Sequence, residues 1–134
     1  ENALLDGQLP VAELPDAWRA KMEGYLGVTP PDDLQGVLQD IHWSRGFGSF
    51  PSYTIGNVVS VQLYEAARAE HPDMEDAFRR GDFSPLLDWT RRHVHAHGAK
   101  YAPLKLVERA TGAPLSARPY LRYIRRKFGE LYGL

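Results

Sequence analysis

The apolar residues of this chain recur at helical spacing, and no long stretch alternates with the period of two that marks a half-buried strand. Trp18, Met22, Tyr25 and Leu26, for example, follow an i, i+4, i+7, i+8 pattern. Ten prolines and twelve glycines divide the 134 residues into short segments. The sequence therefore predicts an all-α fold made of short helices.

Proline, glycine and capping residues set the expected helix boundaries. The first helix follows Pro15, which lies in its first turn unless Asp16 caps it. The later helices are expected from residues 32–33 toward His42, over residues 55–70, over residues 72–80, from residue 84 to Gly98, and after Ser116 as N-cap.

Two of these helices carry apolar stripes that predict their buried faces. The stripes are Phe83, Leu86, Leu87 and Val94 in one helix, and Leu121, Ile124, Phe128 and Leu131 in the last. Because 134 residues suffice for one hydrophobic core and not for two, we expect residues 1–134 to form a single helical domain. The chain begins with Glu1 rather than Met, which we interpret as the start of a piece of a longer protein.

Charge and composition argue against several classes of protein. Sixteen Lys+Arg against seventeen Asp+Glu give a formal charge of −1, so we expect no nucleic-acid partner. The basic stripe Arg118, Arg122 and Arg126 is interpreted as a solvated helix face. No apolar run approaches the roughly 20 residues that cross a bilayer. The absence of cysteine excludes thiolate zinc sites and is compatible with a cytoplasmic location.

His93, His95 and His97 are expected near the C-terminal end of one helix. His93 and His97 lie one turn apart, the spacing of helical zinc pairs, but a zinc site needs at least a third ligand. Histidines at a helix C-terminus also interact favourably with the helix dipole. We favour this second interpretation over a zinc site.

Polar and aromatic side chains crowd one short segment, which contains Gln39, Asp40, His42 and Trp43. A glycine-spaced aromatic loop follows and leads to Tyr53. Such a concentration beside permissive glycines is typical of a binding cleft. The alternative is a corner anchored by Trp43, in which Gln39 and Asp40 cap neighbouring backbone.

The motif Gly36-x-x-Gln39-Asp40-x-His42-Trp43 resembles the signature of the thermostable (Taq-type) zinc metallocarboxypeptidases. Several further segments fit the same family: Leu14-Pro15-x-x-Trp18, Phe50-Pro51-Ser52-Tyr53-Thr54-x-Gly56-Asn57, Gln62-Leu63, His95-x-His97-Gly98 and Thr111-Gly112. The resemblance spans nearly the whole chain and corresponds to the last quarter or so of a full-length member.

The resemblance implies an all-α, usually dimeric zinc peptidase of the His-Glu-x-x-His class that acts on peptide substrates. The metal ligands and the general base would lie upstream of Glu1, in the N-terminal remainder of the same protein. The chain alone is therefore expected to hold no zinc and to be inactive.

The resemblance further implies that this chain forms the substrate-side wall of the cleft. His42 and Tyr53 would act as catalytic hydrogen-bond donors, and Gln39, Asp40 and Trp43 would lie on the substrate-binding side. The family pattern carries an aromatic residue where this chain has Ser49. A stand-alone helical interaction module without catalytic activity is the alternative.

Overall fold

The computed structural model describes all 134 residues, Glu1 to Leu134, and none of them lies in a β-strand, so the all-α prediction is confirmed. The seven α-helices are α1 (Asn2–Leu5), α2 (Leu14–Leu26), α3 (Pro51–Glu70), α4 (Met74–Arg79), α5 (Ser84–His93), α6 (Pro103–Thr111) and α7 (Arg118–Tyr132). Short 3-10 helices occupy Val11–Glu13, Val37–Gln39, Ile41–Trp43 and His95–His97. Among the α-helices, none combines the length and hydropathy that crossing a bilayer requires.

The chain divides into two compact units, Glu1–Ser52 and Tyr53–Leu134. The single helical domain expected over residues 1–134 stays a prediction. In the first unit, Pro15 lies in the first turn of α2 as expected, whereas Asp16 makes an ion pair with Arg19 (2.7 Å) and does not cap the helix. Gly27 ends α2 in the left-handed conformation, with φ of 67°, which glycine adopts without steric cost.

The helix expected from residues 32–33 toward His42 is wrong. The Asp32 carboxylate accepts the backbone N–H of Gln35 (2.8 Å), and this local hydrogen bond forms a turn rather than a helix. At Asp40 the backbone is extended, with φ of −92° and ψ of 110°, which no helix accommodates. The segment consequently contains two 3-10 turns on either side of Asp40.

The core of the second unit forms around Trp89 and Met74, which are fully buried. Leu86 and Val94 pack against this core as predicted. Phe83 and Leu87 do not: they are 62% and 43% exposed. Their predicted burial is wrong because α5 turns the larger apolar surface of Trp89 inward, and the face carrying Leu87 is rotated outward.

Helix α6, which the sequence analysis did not predict, is joined to α7 through a buried glutamine of α3. The Gln62 side chain, 6% exposed, donates to Thr111 Oγ1 (3.0 Å), Ala113 O (3.2 Å) and Pro114 O (3.1 Å). Its carbonyl oxygen accepts the backbone N–H of Ser116 (2.9 Å). One side-chain amide therefore supplies the hydrogen-bond partner of three backbone groups in the segment that connects α6 to α7.

Helix α7 begins two residues after the expected N-cap: the Ser116 hydroxyl accepts the backbone N–H of Arg118 (3.2 Å). Its predicted buried stripe is exposed to a large extent, since Leu121 is 46% and Leu131 is 64% exposed. The prediction of burial is wrong there because an apolar stripe identifies a surface suited to packing, whereas burial depends on what covers it. By contrast, the helix predicted over residues 55–70 is confirmed within α3.

Candidate functional site

A close approach at Gly36 shapes the motif segment. A Cβ atom at this position would lie 2.9 Å from the backbone oxygen of Asp32 and 3.2 Å from Cβ of Pro30. Any larger residue would therefore push the turn apart. The motif therefore needs glycine at position 36 for a steric reason: without a Cβ atom, the start of the 3-10 turn Val37–Gln39 can lie against Pro30 and Asp32.

Asp40 holds His42 at two points. Its Oδ1 accepts the backbone N–H of His42 (2.9 Å) and lies 2.6 Å from Nδ1 of the imidazole. Both side chains are 21% exposed. The hydrogen bond from the His42 backbone is the main cause that holds the pKa of Asp40 below its ordinary value, against the opposing effect of burial. The carboxylate therefore stays ionised and places a proton on Nδ1.

Gln39 and Trp43 both donate hydrogen bonds to backbone carbonyls of their own segment. Gln39 Nε2 donates to Leu34 O (2.6 Å), and Trp43 Nε1 donates to Val37 O (2.8 Å). The indole of Trp43 also meets Trp18 edge-on, with 6.0 Å between the ring centroids. These contacts agree with the interpretation of a corner anchored by Trp43, and the same corner presents the Asp40–His42 pair.

The glycine-spaced loop places an aromatic ring on His42. Gly46 and Gly48 adopt φ of 83° and 80°, a region that other residues rarely enter. The turn they form carries Phe50 to the imidazole of His42, with ring centroids 4.9 Å apart and planes at 77°. The Ser49 hydroxyl donates to the carbonyl of Gly46 within the loop.

Tyr53 lies in the first turn of α3, in the second unit, and is 60% exposed. The structure thus brings Asp40, His42 and Trp43 into one corner of the first unit, while Gln39 there contacts backbone. The roles assigned to these five residues remain predictions.

His93 belongs to a different cluster, which the sequence analysis did not identify. Its Nε2 lies 3.3 Å from Glu70 Oε1, and its ring stacks on Trp89 at 4.7 Å. Trp89 Nε1 donates to the same Glu70 oxygen (2.9 Å). This hydrogen bond is the main cause of the lowered pKa of Glu70. No local sequence pattern predicts this cluster, because Glu70 lies in α3 while Trp89 and His93 lie in α5, and the two helices meet only in the tertiary structure.

The residues of this chain do not fit a zinc site. No group of three or more His, Asp and Glu side chains lies close enough together to hold a metal ion. His93 is instead engaged by Glu70, and the ring of His97 meets that of Tyr101 edge-on at 5.5 Å.

Comparison with known proteins places these observations in a family. The family described as carboxypeptidase Taq (M32) metallopeptidase matches residues 1–128. Thermostable carboxypeptidase 1 of Thermus thermophilus is 48% identical over 134 residues, which are 99% of this chain and 26% of that protein. Carboxypeptidase 1 of Bacillus subtilis is 38% identical over 133 residues, 98% of this chain and 26% of that protein.

Solved structures share the fold. The crystal structure of an M32 carboxypeptidase from Deinococcus radiodurans R1 superposes with a TM-score of 0.88 at 50% identity, over 99% of this chain and 27% of that one. Metallocarboxypeptidase 1 of Trypanosoma cruzi gives a TM-score of 0.84 at 34% identity, over 95% of this chain and 27% of that one. This chain thus spans about a quarter of the length of the relatives it matches.

Proposed function

This chain belongs to the carboxypeptidase Taq (M32) metallopeptidase family, and we propose that it is part of a zinc metallocarboxypeptidase that hydrolyses the C-terminal peptide bond of peptides. The observation that carries the proposal is the Asp40–His42 pair within the family-like motif, held at 2.6 Å in a corner that Gly36 and Trp43 make possible. The zinc and the base that activates water would come from the parent protein outside these residues.

His42 would stabilise the negative charge that develops on the scissile carbonyl oxygen. His42 would donate from Nε2, because its Nδ1 lies 2.6 Å from Oδ1 of Asp40 and is engaged by that carboxylate. Asp40 is then a positioning residue that orients the ring of His42.

Tyr53 is proposed as the second catalytic donor, from its place at the start of α3 and its exposed side chain. Gln39, Asp40 and Trp43 would form the substrate-side wall, with Trp43 packing the corner. We further propose that the parent acts as a cytoplasmic homodimer and that this chain alone, without metal ligands, is inactive.

The test uses the full-length parent, incubated with an N-terminally blocked peptide. We expect release of the C-terminal amino acid, loss of release with a chelator, and its return with zinc. In the same assay we expect Tyr53→Phe to lower kcat by about tenfold or more, since one donor to a developing oxyanion contributes substantially. Folded, metal-loaded parent that never releases a C-terminal residue would favour a helical interaction module.

A further inference from the structure

A cleft of about 750 Å³ opens in the second unit between α3, α4 and α7, and none of its lining residues belongs to the proposed function. Val61 and the rings of Tyr64 and Tyr123 give it apolar walls. Its charged lining comprises three arginines and two glutamates, Arg68, Arg122, Arg126, Glu65 and Glu75. The cleft therefore combines apolar surface with a net positive charge.

One of the three arginines lacks an acidic partner. Arg122 Nη2 lies 2.7 Å from Glu65 Oε2, and Arg68 Nε lies 3.9 Å from Glu75 Oε1. No carboxylate of the chain lies within 4.0 Å of the guanidinium of Arg126. The cleft is thus short of one negative charge at Arg126.

The glutamate on the far wall is already engaged. The Tyr64 hydroxyl donates to Glu75 Oε1 (2.7 Å), and burial together with this carboxylate raises the pKa of Tyr64 to about 12. Tyr64 therefore keeps its proton at neutral pH and keeps Glu75 on the wall formed by α4. Both glutamates of the cleft are therefore engaged by other residues, and neither is left to pair with Arg126.

An apolar groove continues from the cleft along α3 and α7. Its volume is about 360 Å³; it shares Val61 and Tyr123 with the cleft and extends to Ile124 and Phe128. Phe128 is 38% exposed, and Leu131 one turn further is 64% exposed. An occupant of both spaces must therefore be elongated, apolar along one side and acidic at one end.

The relatives indicate where such an occupant comes from. The same fold forms only 26–27% of the matched proteins, so about three quarters of each lies outside the region that this chain covers. We propose that the cleft and groove seat an amphipathic segment of the parent protein from outside these residues. Its apolar side chains lie on Val61 and Tyr123, and its carboxylate pairs with Arg126. This inference rests on family membership and not on the proposed catalytic function.

The first test measures the accessibility of two neighbouring positions in the full-length parent. Single cysteines replace Arg126 in one variant and Arg125 in the other; both residues are exposed on the same helix in this structure, and only Arg126 lines the cleft. Each is labelled with a maleimide, and the rate is determined by mass spectrometry of the peptide that contains it. Labelling of the same variants in concentrated urea gives the intrinsic rates.

We expect Arg126→Cys to be labelled at least tenfold more slowly than Arg125→Cys in the folded parent, and at an equal rate in urea. Equal rates in the folded parent would overturn the proposal. Protection that disappears on dilution would also overturn it, because a second copy would then occupy the cleft. Oxidative footprinting of the unmodified parent gives an independent readout: slow oxidation of Tyr123 and Phe128 supports the proposal, and fast oxidation overturns it.

The negative charge proposed for the segment is tested by reversing the charge of the arginine that would pair with it. We expect Arg126→Glu to lower the thermal midpoint of the parent by about 2 °C or more beyond the effect of Arg125→Glu, since the first would oppose the carboxylate of the segment and Arg125 does not line the cleft. Arg126→Lys should restore most of the difference, because it keeps the charge. Equal decreases of the thermal midpoint in Arg126→Glu and Arg125→Glu would overturn the proposal that the segment carries a carboxylate at Arg126. Catalytic activity enters none of these measurements, so a failure here is distinguishable from a failure of the proposed function.

Discussion

Oδ1 of Asp40 lies 2.6 Å from Nδ1 of His42 and 2.9 Å from the backbone nitrogen of the same residue. One carboxylate oxygen therefore fixes both the ring and the main chain of a residue only two positions away. In a helix these side chains would point away from each other. The extended backbone at Asp40 brings them together.

The pair is expected to act as one unit in the parent enzyme. Asp40→Asn should lower kcat by roughly tenfold to a hundredfold with little change in KM, because it weakens the hydrogen bond that orients the ring of His42. His42→Ala should lower kcat by about a hundredfold. The double variant should be no worse than His42→Ala, which steady-state kinetics on the blocked peptide would show.

Asp16→Asn is the matched control for that series, since the Asp16 side chain is 84% exposed and pairs with Arg19 in the same unit. Its kinetics should equal those of the unmodified protein. Additive effects of Asp40→Asn and His42→Ala would contradict the coupling of the two residues.

Gly36→Ala is expected to destabilise the first unit. The added methyl would lie 2.9 Å from the Asp32 carbonyl oxygen, and the turn must open to accept it. Such overpacking costs about 1–3 kcal/mol, which a lower midpoint of urea unfolding would reveal. Gly24→Ala in α2 serves as control: nothing lies within 4 Å of its added methyl, so we expect a gain of about 0.5–1 kcal/mol. Equal effects of the two changes would exclude the steric explanation.

Stability should depend on Glu70 in acid. Because the hydrogen bond from Trp89 lowers the pKa of Glu70 from its ordinary value of 4.5, ionised Glu70 adds stability above that value, and the contribution is lost as the pH falls through the lowered pKa. Glu70→Gln should therefore have a lower thermal midpoint than the unmodified chain at pH 6, and this difference should shrink toward pH 3. Glu108→Gln removes a surface ion pair with Lys105 and should cause little change at either pH. A Glu70→Gln difference that is independent of pH would contradict the assignment.

Gln62→Leu should loosen the connection between α6 and α7. The change keeps the size of the side chain but leaves Pro114 O and Ser116 N, in part-buried hydrogen bonds, without their partner. We expect a loss of about 2 kcal/mol or more in the free energy of unfolding, measured by urea denaturation followed by circular dichroism. Gln35→Leu, at an exposed position, should change it by less than about 0.5 kcal/mol. A loss at Gln35 as large as that at Gln62 would refute this account.

Much of the helical framework could be predicted from local pattern. The period of the apolar residues indicates the all-α class, and proline and glycine punctuation gives the ends of α2 and most of α3. These features depend on residues within a few positions of one another. The motif at residues 36–43 was identified in the same way, because its signal also lies in consecutive residues.

The conformation of that motif could not be predicted from periodicity. Residues 32–42 contain helix-compatible spacing, yet side-chain hydrogen bonds from Asp32 and Asp40 to nearby backbone N–H groups compete successfully with helix formation. Propensity describes the average behaviour of a residue, whereas these two bonds depend on its particular neighbours.

The sequence by itself determined the fold class, the family and the residues of the Asp40–His42 motif, because each of these is written in short-range pattern. Only the tertiary structure decided which faces are buried and which distant residues meet. Trp89 rather than Phe83 fills the core, Glu70 is shared by Trp89 and His93, and Arg126 lacks a carboxylate. Such relationships depend on how helices rotate and pack against one another, and that packing is a property of the whole surface rather than of any segment.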